Sequence, residues 1–332
     1  MKRFIAEFEK QNFTQIIFPH SNTDWIDYLD EAEKTFINII NAISKYQKCF
    51  IICADITYVK SKFKNHDNLY FAEYETNDTW ARDCSAHCIE EDSNTKLLDF
   101  TFNAWGNKFE SNKDNSMSKT VCKHYSQRLV SIDFVLEGGA IETNGEGVIL
   151  TTSECLLNKN RNPNLNSIGI TKKLNETLGA TEILYLEHGY LAGDDTDSHI
   201  DTLARFIDEK TIMYVKCEDE NDEHFKELKL MENELKEIAK KHNFALIPLP
   251  FPSPIYEKEQ RLPATYANFL FVNGAILVPI YEVKEDEIAL SIFKKTFQNK
   301  TIVPINCSTL IKQHGSLHCV TMNFHSSVSI LI

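Results

Sequence analysis

Short apolar segments alternate with amphipathic ones along the chain, a pattern that predicts strands and helices in alternation. The polar run over residues 21–24 offers helix N-caps. Apolar side chains then recur at helical spacing; they are Trp25, Leu29, Ala32, Phe36, Ile40 and Ile43. The apolar run over residues 49–54 has the length of a buried strand. This first part of the chain therefore predicts a helix followed by a strand.

A pair of short strands, a helix and a further strand then recur in the same order. The strand pairs are joined by polar turns, such as Asn144-Gly145 and Asn273-Gly274. The four copies are predicted over residues 87–136, 140–186, 202–248 and 266–305, with helices over 119–128, 168–178, 222–242 and 285–297. A last strand pair, over residues 319–324 and 327–331, has no helix after it.

The unit without a helix at the C-terminal end matches the helix and strand at the N-terminal end. Joining them would give five similar units closed into a ring, an α/β propeller within one domain over residues 1–332. The pattern is equally compatible with an open α/β or α+β domain that contains many hairpins.

Composition narrows the class of protein. Hydrophobic residues make up 42% of the chain and charged residues 25%, as in ordinary globular proteins. No run approaches the ~20 apolar residues of a membrane span. The first ten residues lack the apolar core of a secretory signal, so we expect a cytoplasmic protein. Size and exposed strand edges suggest a homodimer.

Charge and cysteine usage exclude several classes of function. The formal net charge of −13 argues against nucleic acid as a partner and suits a cationic ligand. The nine cysteines contain no CxxC pair, since Cys84 and Cys88 are separated by three residues. A disulfide framework and a zinc knuckle are therefore disfavoured.

Four polar segments stand between the predicted units, at residues 77–83 (NDTWARD), 137–139 (EGG), 194–201 (DDTDSHID) and 314–319 (HGSLHC). In a closed ring, equivalent junctions lie at the same end of the axis. Carboxylates, an imidazole and a thiol from distant parts of the sequence would then converge.

Such a set of side chains suits nucleophilic chemistry on a cationic carbon. A thiolate needs a proton shuttle, and an imidazole such as His199 titrates near neutral pH. His199 and Asp201 are two residues apart, so on a regular strand they face the same side. Several close carboxylates require a cation, either a metal ion or a guanidinium that pairs with them bidentately.

Each candidate also has a purely structural interpretation. Trp80 is of a type more often found in the core than in a substrate site. The acidic run over residues 194–197 also fits a surface loop or a calcium site, although its spacing does not match an EF-hand. Cys307 and Cys319 cannot be distinguished as nucleophiles by residue type. His318 cannot be taken as the base, because neighbours on a strand face opposite ways.

The four segments, with two further ones, resemble the signature stretches of the agmatine deiminases in the guanidine-modifying, pentein-fold superfamily. Residues 77–83 and 102–106 (FNAWG) resemble the substrate loop and the stretch after it. Residues 137–139 resemble the EGG motif, 158–163 (NKNRNP) an N-x-NRNP stretch, and 199–201 a His-x-Asp motif. Residues 315–319 resemble the segment that ends in His-Cys. The order and spacing match from about residue 15 onward.

The resemblance implies a catalytic role for five residues. Cys319 would attack the guanidinium carbon, and His199 would protonate the departing ammonia and then activate water against a thiouronium intermediate. Asp83 and Asp201 would hold the guanidinium nitrogens, and Glu137 would orient His199.

The resemblance also implies a substrate site and a fold. Asp78, Trp80 and Asp195 would bind the substrate, with Asp195 at its far end. The family uses no metal or organic cofactor, and its fold is the five-unit α/β propeller. The implied reaction is hydrolysis of agmatine to N-carbamoylputrescine and ammonia. Arginine or peptidyl-arginine as substrate, and a non-enzymatic pentein-fold binding protein, are the alternatives.

One segment departs from the family pattern. Relatives carry a run of glycines and an Asn before the terminal His-Cys, whereas this chain has His314, Gly315, Ser316 and Leu317. Fewer glycines restrict the backbone of this loop. We therefore expect substrate preference or rate to differ here.

Overall fold

The computed structural model describes residues 2–331, and within them the chain forms nineteen strands and nine α-helices. The strands are β1 (Lys2–Phe4), β2 (Gln11–Ile17), β3 (Lys48–Cys53), β4 (Leu69–Glu73), β5 (His87–Glu91), β6 (Asn94–Thr101), β7 (Leu129–Val135), β8 (Ile141–Thr143), β9 (Val148–Thr152), β10 (Glu182–Leu186), β11 (Ala204–Asp208), β12 (Thr211–Lys216), β13 (Ala245–Pro250), β14 (Tyr256–Glu257), β15 (Gln260–Arg261), β16 (Leu270–Val272), β17 (Ala275–Ile280), β18 (Thr301–Asn306) and β19 (Thr321–His325). The helices are α1 (Leu29–Ile43), α2 (Ile56–Ser61), α3 (Ala81–Cys84), α4 (Ala104–Asn107), α5 (Asp114–Val121), α6 (Ser153–Leu156), α7 (Ser167–Leu178), α8 (Phe225–His242) and α9 (Glu285–Thr296).

Five small sheets repeat one arrangement of strands. In each, an antiparallel pair is followed by a helix and then by a strand parallel to the second member of the pair. The sheets are β5-β6-β7, β8-β9-β10, β11-β12-β13, β16-β17-β18 and β19-β2-β3, with β1 and β4 added at two edges. The recurring unit that the sequence predicts is therefore present in the structure.

The two ends of the chain meet in one sheet. Strand β19 pairs antiparallel with β2, so Thr321 lies opposite Ile16 and Phe324 opposite Phe13. The rings of Phe13 and Phe324 stack across this pair with centroids 4.4 Å apart. The predicted strand over residues 327–331 is wrong, because Ile330 makes only an isolated bridge and β2 takes the place beside β19.

Two predicted elements near the cavity described below differ in their bounds. The helix predicted over residues 119–128 begins earlier, at Asp114, and ends in a 3-10 turn at His124. The strand predicted from Thr202 begins at Ala204, because Ile200–Thr202 forms a 3-10 helix. His199 and Asp201 therefore do not lie on a strand. Among residues 2–331, no helix is both long and apolar enough to cross a bilayer.

Candidate active site

All four polar segments contribute to one region around a cavity of about 290 Å³. Six of the eight residues singled out from the sequence line its wall: Asp78, Trp80, Asp83, Asp195, His199 and Cys319. Glu137 and Asp201 are fully buried and do not line it, and both belong to the polar network behind the wall. The convergence expected from the junctions is thus present.

The segment that carries Asp78 is anchored by the first residue of α5. The Asp114 carboxylate accepts the backbone N–H of Asn77 at 2.6 Å and that of Asp78 at 3.2 Å. The Asp78 Oδ2 atom accepts the indole N–H of Trp80 at 2.7 Å, whereas Oδ1 is buried without a hydrogen-bond partner. Burial, with Asp24 and Asp114 nearby, raises the pKa of Asp78. The Oδ1 atom of Asp78 can therefore accept a hydrogen bond from a ligand.

The loop before Cys319 is pressed against the Trp80 ring. A Cβ atom on Gly315 would lie 2.1 Å from Cζ3 of Trp80, so only glycine fits at this point of the altered loop. His314, with φ of 67°, adopts the left-handed conformation, and its Nδ1 is 2.7 Å from the carbonyl oxygen of Gly193. The loop is therefore tied to the wall that carries Asp195.

Asp83 is held by neutral donors. The backbone N–H of Gly139 donates to Oδ1 at 2.8 Å, and the indole N–H of Trp105 donates to Oδ2 at 3.0 Å. These bonds favour the ionised form, but burial and the charge of Asp201 outweigh them and raise the pKa of Asp83 to about 8. With no cation beside it, the Asp83 carboxyl group is mostly protonated at neutral pH.

Trp105 reaches Asp83 from a turn of unusual handedness. Ala104, Trp105, Gly106 and Asn107 all have positive φ, and Trp105 sits at φ 54° and ψ 44°. Left-handed backbone costs non-glycine residues roughly 1–2 kcal/mol each. This strained turn directs the indole N–H of Trp105 at the Asp83 carboxyl group in the cavity wall.

Asp201 has a charged partner instead. Its Oδ2 is 2.7 Å from Nδ1 of His318, whose Nε2 is 2.6 Å from the carboxylate of Glu7. Because both ring nitrogens face carboxylates, the imidazole is held as a double donor, protonated between two anions. Burial opposes the ionised form of Asp201, but the hydrogen bond and charge of His318, with Arg205 nearby, lower its pKa. Its Oδ1 atom is buried without a hydrogen-bond partner.

His199 is a buried, neutral imidazole. Its Nδ1 lies 3.8 Å from Oδ1 of Asp83, and its Nε2 is buried without a hydrogen-bond partner. Burial lowers the pKa of His199 to about 3. The nearby Glu137 carboxylate accepts both of its hydrogen bonds from Nε of Arg161, at 2.8 and 3.0 Å. A carboxylate oxygen of Glu137 lies within 4.8 Å of a ring nitrogen of His199.

Cys319 is the only cysteine in the cavity wall among the described residues. It precedes β19, and its Sγ is 3.4 Å from Oδ1 of Asn268, which also accepts the backbone N–H groups of His318 and Cys319. Burial, together with Asp201 and Asp83, raises the pKa of the Cys319 thiol. Cys319 is therefore a neutral thiol until a cation nearby lowers its pKa and allows it to ionise.

Sequence reasoning missed several residues of the site. Trp105 lies in a motif that the resemblance included, but no role followed from it. The same is true of Arg161, which stands in the NKNRNP stretch. Asn268 and Glu7 carry no local signal, because their partners are distant in the sequence. His318 was set aside as the base because neighbours on a strand face opposite ways, but in the structure it lies before β19 and its ring faces Asp201 and Glu7.

The family comparison covers almost the whole chain. A family model described as Porphyromonas-type peptidyl-arginine deiminase matches residues 3–324. The chain belongs to this family.

Agmatine deiminases are among the solved structures that are similar to this chain. One, from C. jejuni, is a cysteine-to-serine variant with substrate bound; it is 44% identical, with a TM-score of 0.94 over 100% of this chain and 98% of that chain. The agmatine deiminase of Enterococcus faecalis is 27% identical, with a TM-score of 0.90 over 97% and 95%. An amidinotransferase from Microseira wollei, 11% identical with a TM-score of 0.56 over 97% and 96%, shares the fold alone.

Proposed function

We propose that this protein hydrolyses agmatine to N-carbamoylputrescine and ammonia, with Cys319 as the nucleophile. The observation that carries the proposal is the charge of the cavity that Cys319 lines. Its wall contains seven carboxylates and neither Lys nor Arg: Asp24, Asp78, Asp83, Glu110, Asp114, Asp194 and Asp195. A dication with a guanidinium at one end and an ammonium at the other fits such a cavity. The agmatine deiminases among the similar structures support the same substrate.

The guanidinium is placed between Asp83 and Asp201. The unpartnered Oδ1 of Asp201 is an acceptor for one of its nitrogens, and the Asp83 carboxylate accepts the other after losing its proton. The positive charge beside Cys319 offsets the two carboxylates that hold its pKa high. Substrate binding thus favours the thiolate, and His199 takes the thiol proton.

The first half of the reaction releases ammonia. The Cys319 thiolate forms a bond to the guanidinium carbon, giving a neutral tetrahedral adduct. Protonated His199 donates its proton to one NH₂ group, and the C–N bond breaks as ammonia leaves. The product of this step is a cationic thiouronium bound to the sulfur. Asp83 and Asp201 stabilise the positive charge on the remaining nitrogens.

The second half restores the enzyme. His199, now neutral, takes a proton from water as the oxygen adds to the thiouronium carbon. The C–S bond breaks, the thiolate returns, and the oxygen loses its second proton to give the ureido group of N-carbamoylputrescine. Ammonia takes up that proton in solution, so charge and atoms balance. Glu137, beside His199, orients the ring and favours its protonated form.

Trp80, Asp78 and Asp195 are assigned to the rest of the substrate. The Trp80 ring forms a wall over the alkyl chain, and Asp195 or Asp78 receives the terminal ammonium. Burial raises the pKa of Asp195, while His314 and Lys108 oppose that shift. An arginine-using enzyme would need a cation for the α-carboxylate. Arg82 is instead held by Glu7, and Arg261 by Asp222 and Glu223, outside the cavity wall.

The five repeated units support a five-unit α/β propeller with pseudo-fivefold symmetry, formed by one catalytic domain. In that arrangement each junction segment comes from a different unit, which explains why residues near 80, 199 and 319 line one cavity and Glu137 lies directly behind its wall. A homodimer stays a prediction.

Ammonia release from agmatine, arginine and a peptidyl arginine, each with and without chelator, tests the proposal. We expect release from agmatine, with kcat/KM at least ~100-fold above that for arginine, because an unpaired α-carboxylate among acids costs about 3 kcal/mol or more. Absence of release from all three would leave a non-enzymatic binding protein as the better reading. Loss of activity with chelator would contradict the metal-free mechanism.

The nucleophile is tested by substitution. Cys319→Ala is expected to abolish turnover while the protein remains folded, and Cys319→Ser should still bind agmatine. Cys307→Ala is the matched control, because Cys307 is also fully buried but lies outside the cavity wall. Loss of turnover in the Cys307 variant and retention in the Cys319 variant would show that the nucleophile is misassigned.

A further inference from the structure

Behind the cavity wall lies a cluster of three possible metal ligands. One ligand atom each from Glu137, Cys155 and His199 lies within 4.8 Å of the other two, and all three side chains are buried. Thiolate, imidazole and carboxylate are the ligands that Zn²⁺ takes in proteins. In a tetrahedral zinc site the ligand atoms are about 3.3–3.8 Å apart, so even a gap at the 4.8 Å limit would need to close by only about 1–1.5 Å. Cys155 has no part in the proposed reaction.

The imidazole has a ring nitrogen free for such a ligand. Nδ1 of His199 lies 3.8 Å from Oδ1 of Asp83, whereas Nε2 is buried without a hydrogen-bond partner among residues 2–331. A buried, unpartnered ring nitrogen is uncommon, because burying a polar atom without a partner costs free energy.

The charges around the cluster balance when a divalent cation is present. Glu137 and ionised Cys155 supply two negative charges against the two positive charges of the ion. Arg161, bonded to Glu137, is offset by Asp197 at 2.7 Å. A carboxylate that shares its oxygens between a metal and an arginine is an ordinary outer-sphere arrangement. The arginine therefore orients Glu137 and does not exclude the ion.

We propose that Glu137, Cys155 and Nε2 of His199 form an inhibitory site for a thiophilic divalent cation such as Zn²⁺. Binding replaces the thiol proton of Cys155, which leaves for solvent, and forms one bond each to sulfur, nitrogen and oxygen. With the metal on Nε2, the ring retains a proton on Nδ1 and can no longer accept one. Its acid–base cycle stops. The inhibition rests on the role proposed for His199, whereas the binding does not.

The cavity provides the route to the cluster. His199 lines the cavity wall, whereas Glu137 and Cys155 lie behind it and are fully buried. The ion must pass His199, so a bound guanidinium between Asp83 and Asp201 blocks its entry. Agmatine and the metal are expected to exclude each other, and onset of inhibition is expected to be slow.

Cobalt(II) binding to the full-length protein tests the site independently of turnover. A cysteine thiolate bound to Co²⁺ gives a sulfur-to-metal charge-transfer absorption band, and Zn²⁺ should abolish it by competition. We expect the band in the wild type and in Cys319→Ser, and its loss in Cys155→Ser. Loss in Cys319→Ser with retention in Cys155→Ser would overturn the assignment, because the metal would then be on the nucleophile. Absence of the band in the wild type would also overturn it.

Activity provides the second readout. Zn²⁺ should inhibit agmatine hydrolysis, and Cys155→Ser should raise the inhibitory concentration at least ~10-fold without changing turnover in metal-free buffer. Cys84→Ser is the matched control, since Cys84 is buried near the cavity but lies outside the cluster. If Cys155→Ser fails to fold, Cys155→Ala repeats both measurements. Equal inhibition of wild type and Cys155 variants would refute the site, whereas inactivity of all proteins with an intact cobalt band would refute only the proposed function.

Discussion

Asp83 and Asp201 lie on either side of the proposed guanidinium position, and they differ in charge. Both are buried carboxyl groups within short helical turns. Asp83 is bonded to neutral N–H groups, and burial raises its pKa to about 8. Asp201 is bonded to His318, and its pKa is lowered. Asp83 and Asp201 are both buried, so the charge of the group bonded to each one decides which of the two is ionised.

The difference means that the pair Asp83 and Asp201 carries one negative charge instead of two when no cation lies between them. The second negative charge, on Asp83, forms when a cation arrives to stabilise it. The same holds for the Cys319 thiol, whose pKa is raised by burial and by both carboxylates. Keeping one member of the pair protonated avoids the repulsion that two close, ionised carboxylates would create.

The largest effect is expected from Asp201→Asn. This change removes the anion that faces Nδ1 of His318 and one guanidinium acceptor. Removing one partner of a buried charge pair costs about 3–4 kcal/mol of binding free energy, so we expect kcat/KM to fall by about 10²–10³-fold. Steady-state kinetics with agmatine measures it. A loss below tenfold would mean that Asp201 is not a principal partner of the guanidinium.

His318→Gln should move the acid limb of the pH profile. Glutamine can still donate one hydrogen bond to Asp201 but carries no charge, so the pKa of Asp201 rises toward its usual value and above. Because Asp201 must be ionised, its protonation adds a second fall of kcat/KM at lower pH than the one due to Asp83, and this second fall should begin at least about one pH unit higher in the variant. A purely structural role for His318 would lower activity equally at every pH, without shifting the limb. His325→Gln, on a half-buried histidine outside the cavity wall, is the control.

Agmatine affinity should increase as Asp83 ionises. In the Cys319→Ser background, the dissociation constant is expected to rise up to about tenfold for each pH unit below 8, since binding must displace the Asp83 proton. Calorimetry from pH 6 to pH 9 measures both affinity and proton release. The double variant with Asp83→Asn should lose this dependence. An affinity that does not change with pH in the single variant would contradict the protonated state assigned to Asp83.

The smallest effects concern thermal stability, and they should have opposite signs for substitutions of Asp83 and of Asp201. Asp83 ionises near pH 4 when unfolded and near 8 when folded, so the folded state binds an extra proton in between and loses stability as pH rises. Asp83→Asn should therefore raise the melting temperature by a few degrees at pH 8 and less at pH 5. Asp201→Asn should lower it at pH 7, and the loss should shrink as the pH falls from about 4 through the lowered pKa of folded Asp201. Equal signs would refute the comparison.

Much of the fold was visible in the sequence because each unit has a local signal. Strand and helix periodicity is read within ten to twenty residues, and β10 and α7 lie within one residue of their predicted bounds. The pairing between the two ends also followed from the pattern of incomplete units. The predicted strand over residues 327–331 failed because apolar alternation alone does not identify the neighbouring strand.

The site was predicted less completely, for a physical reason. Residue type and motif identify Cys319, His199 and Asp83, but the state of each group depends on partners elsewhere in the chain. Glu7 is more than 300 residues from His318 and yet holds its Nε2. No local pattern indicates that one of two similar aspartates is ionised and the other protonated. Those differences arise from packing, which only the structure reveals.

The β2–β19 pair also affects the order in which parts of the protein can fold. Residues 11–17 and their partner at residues 321–325 are separated by about 300 residues of chain. Closing a loop of this length is slow relative to forming the local units. Cys319 stands two residues before β19, so the proposed nucleophile is next to a pairing that forms late. A chain in which this pair has not formed would carry folded repeats without a positioned thiol.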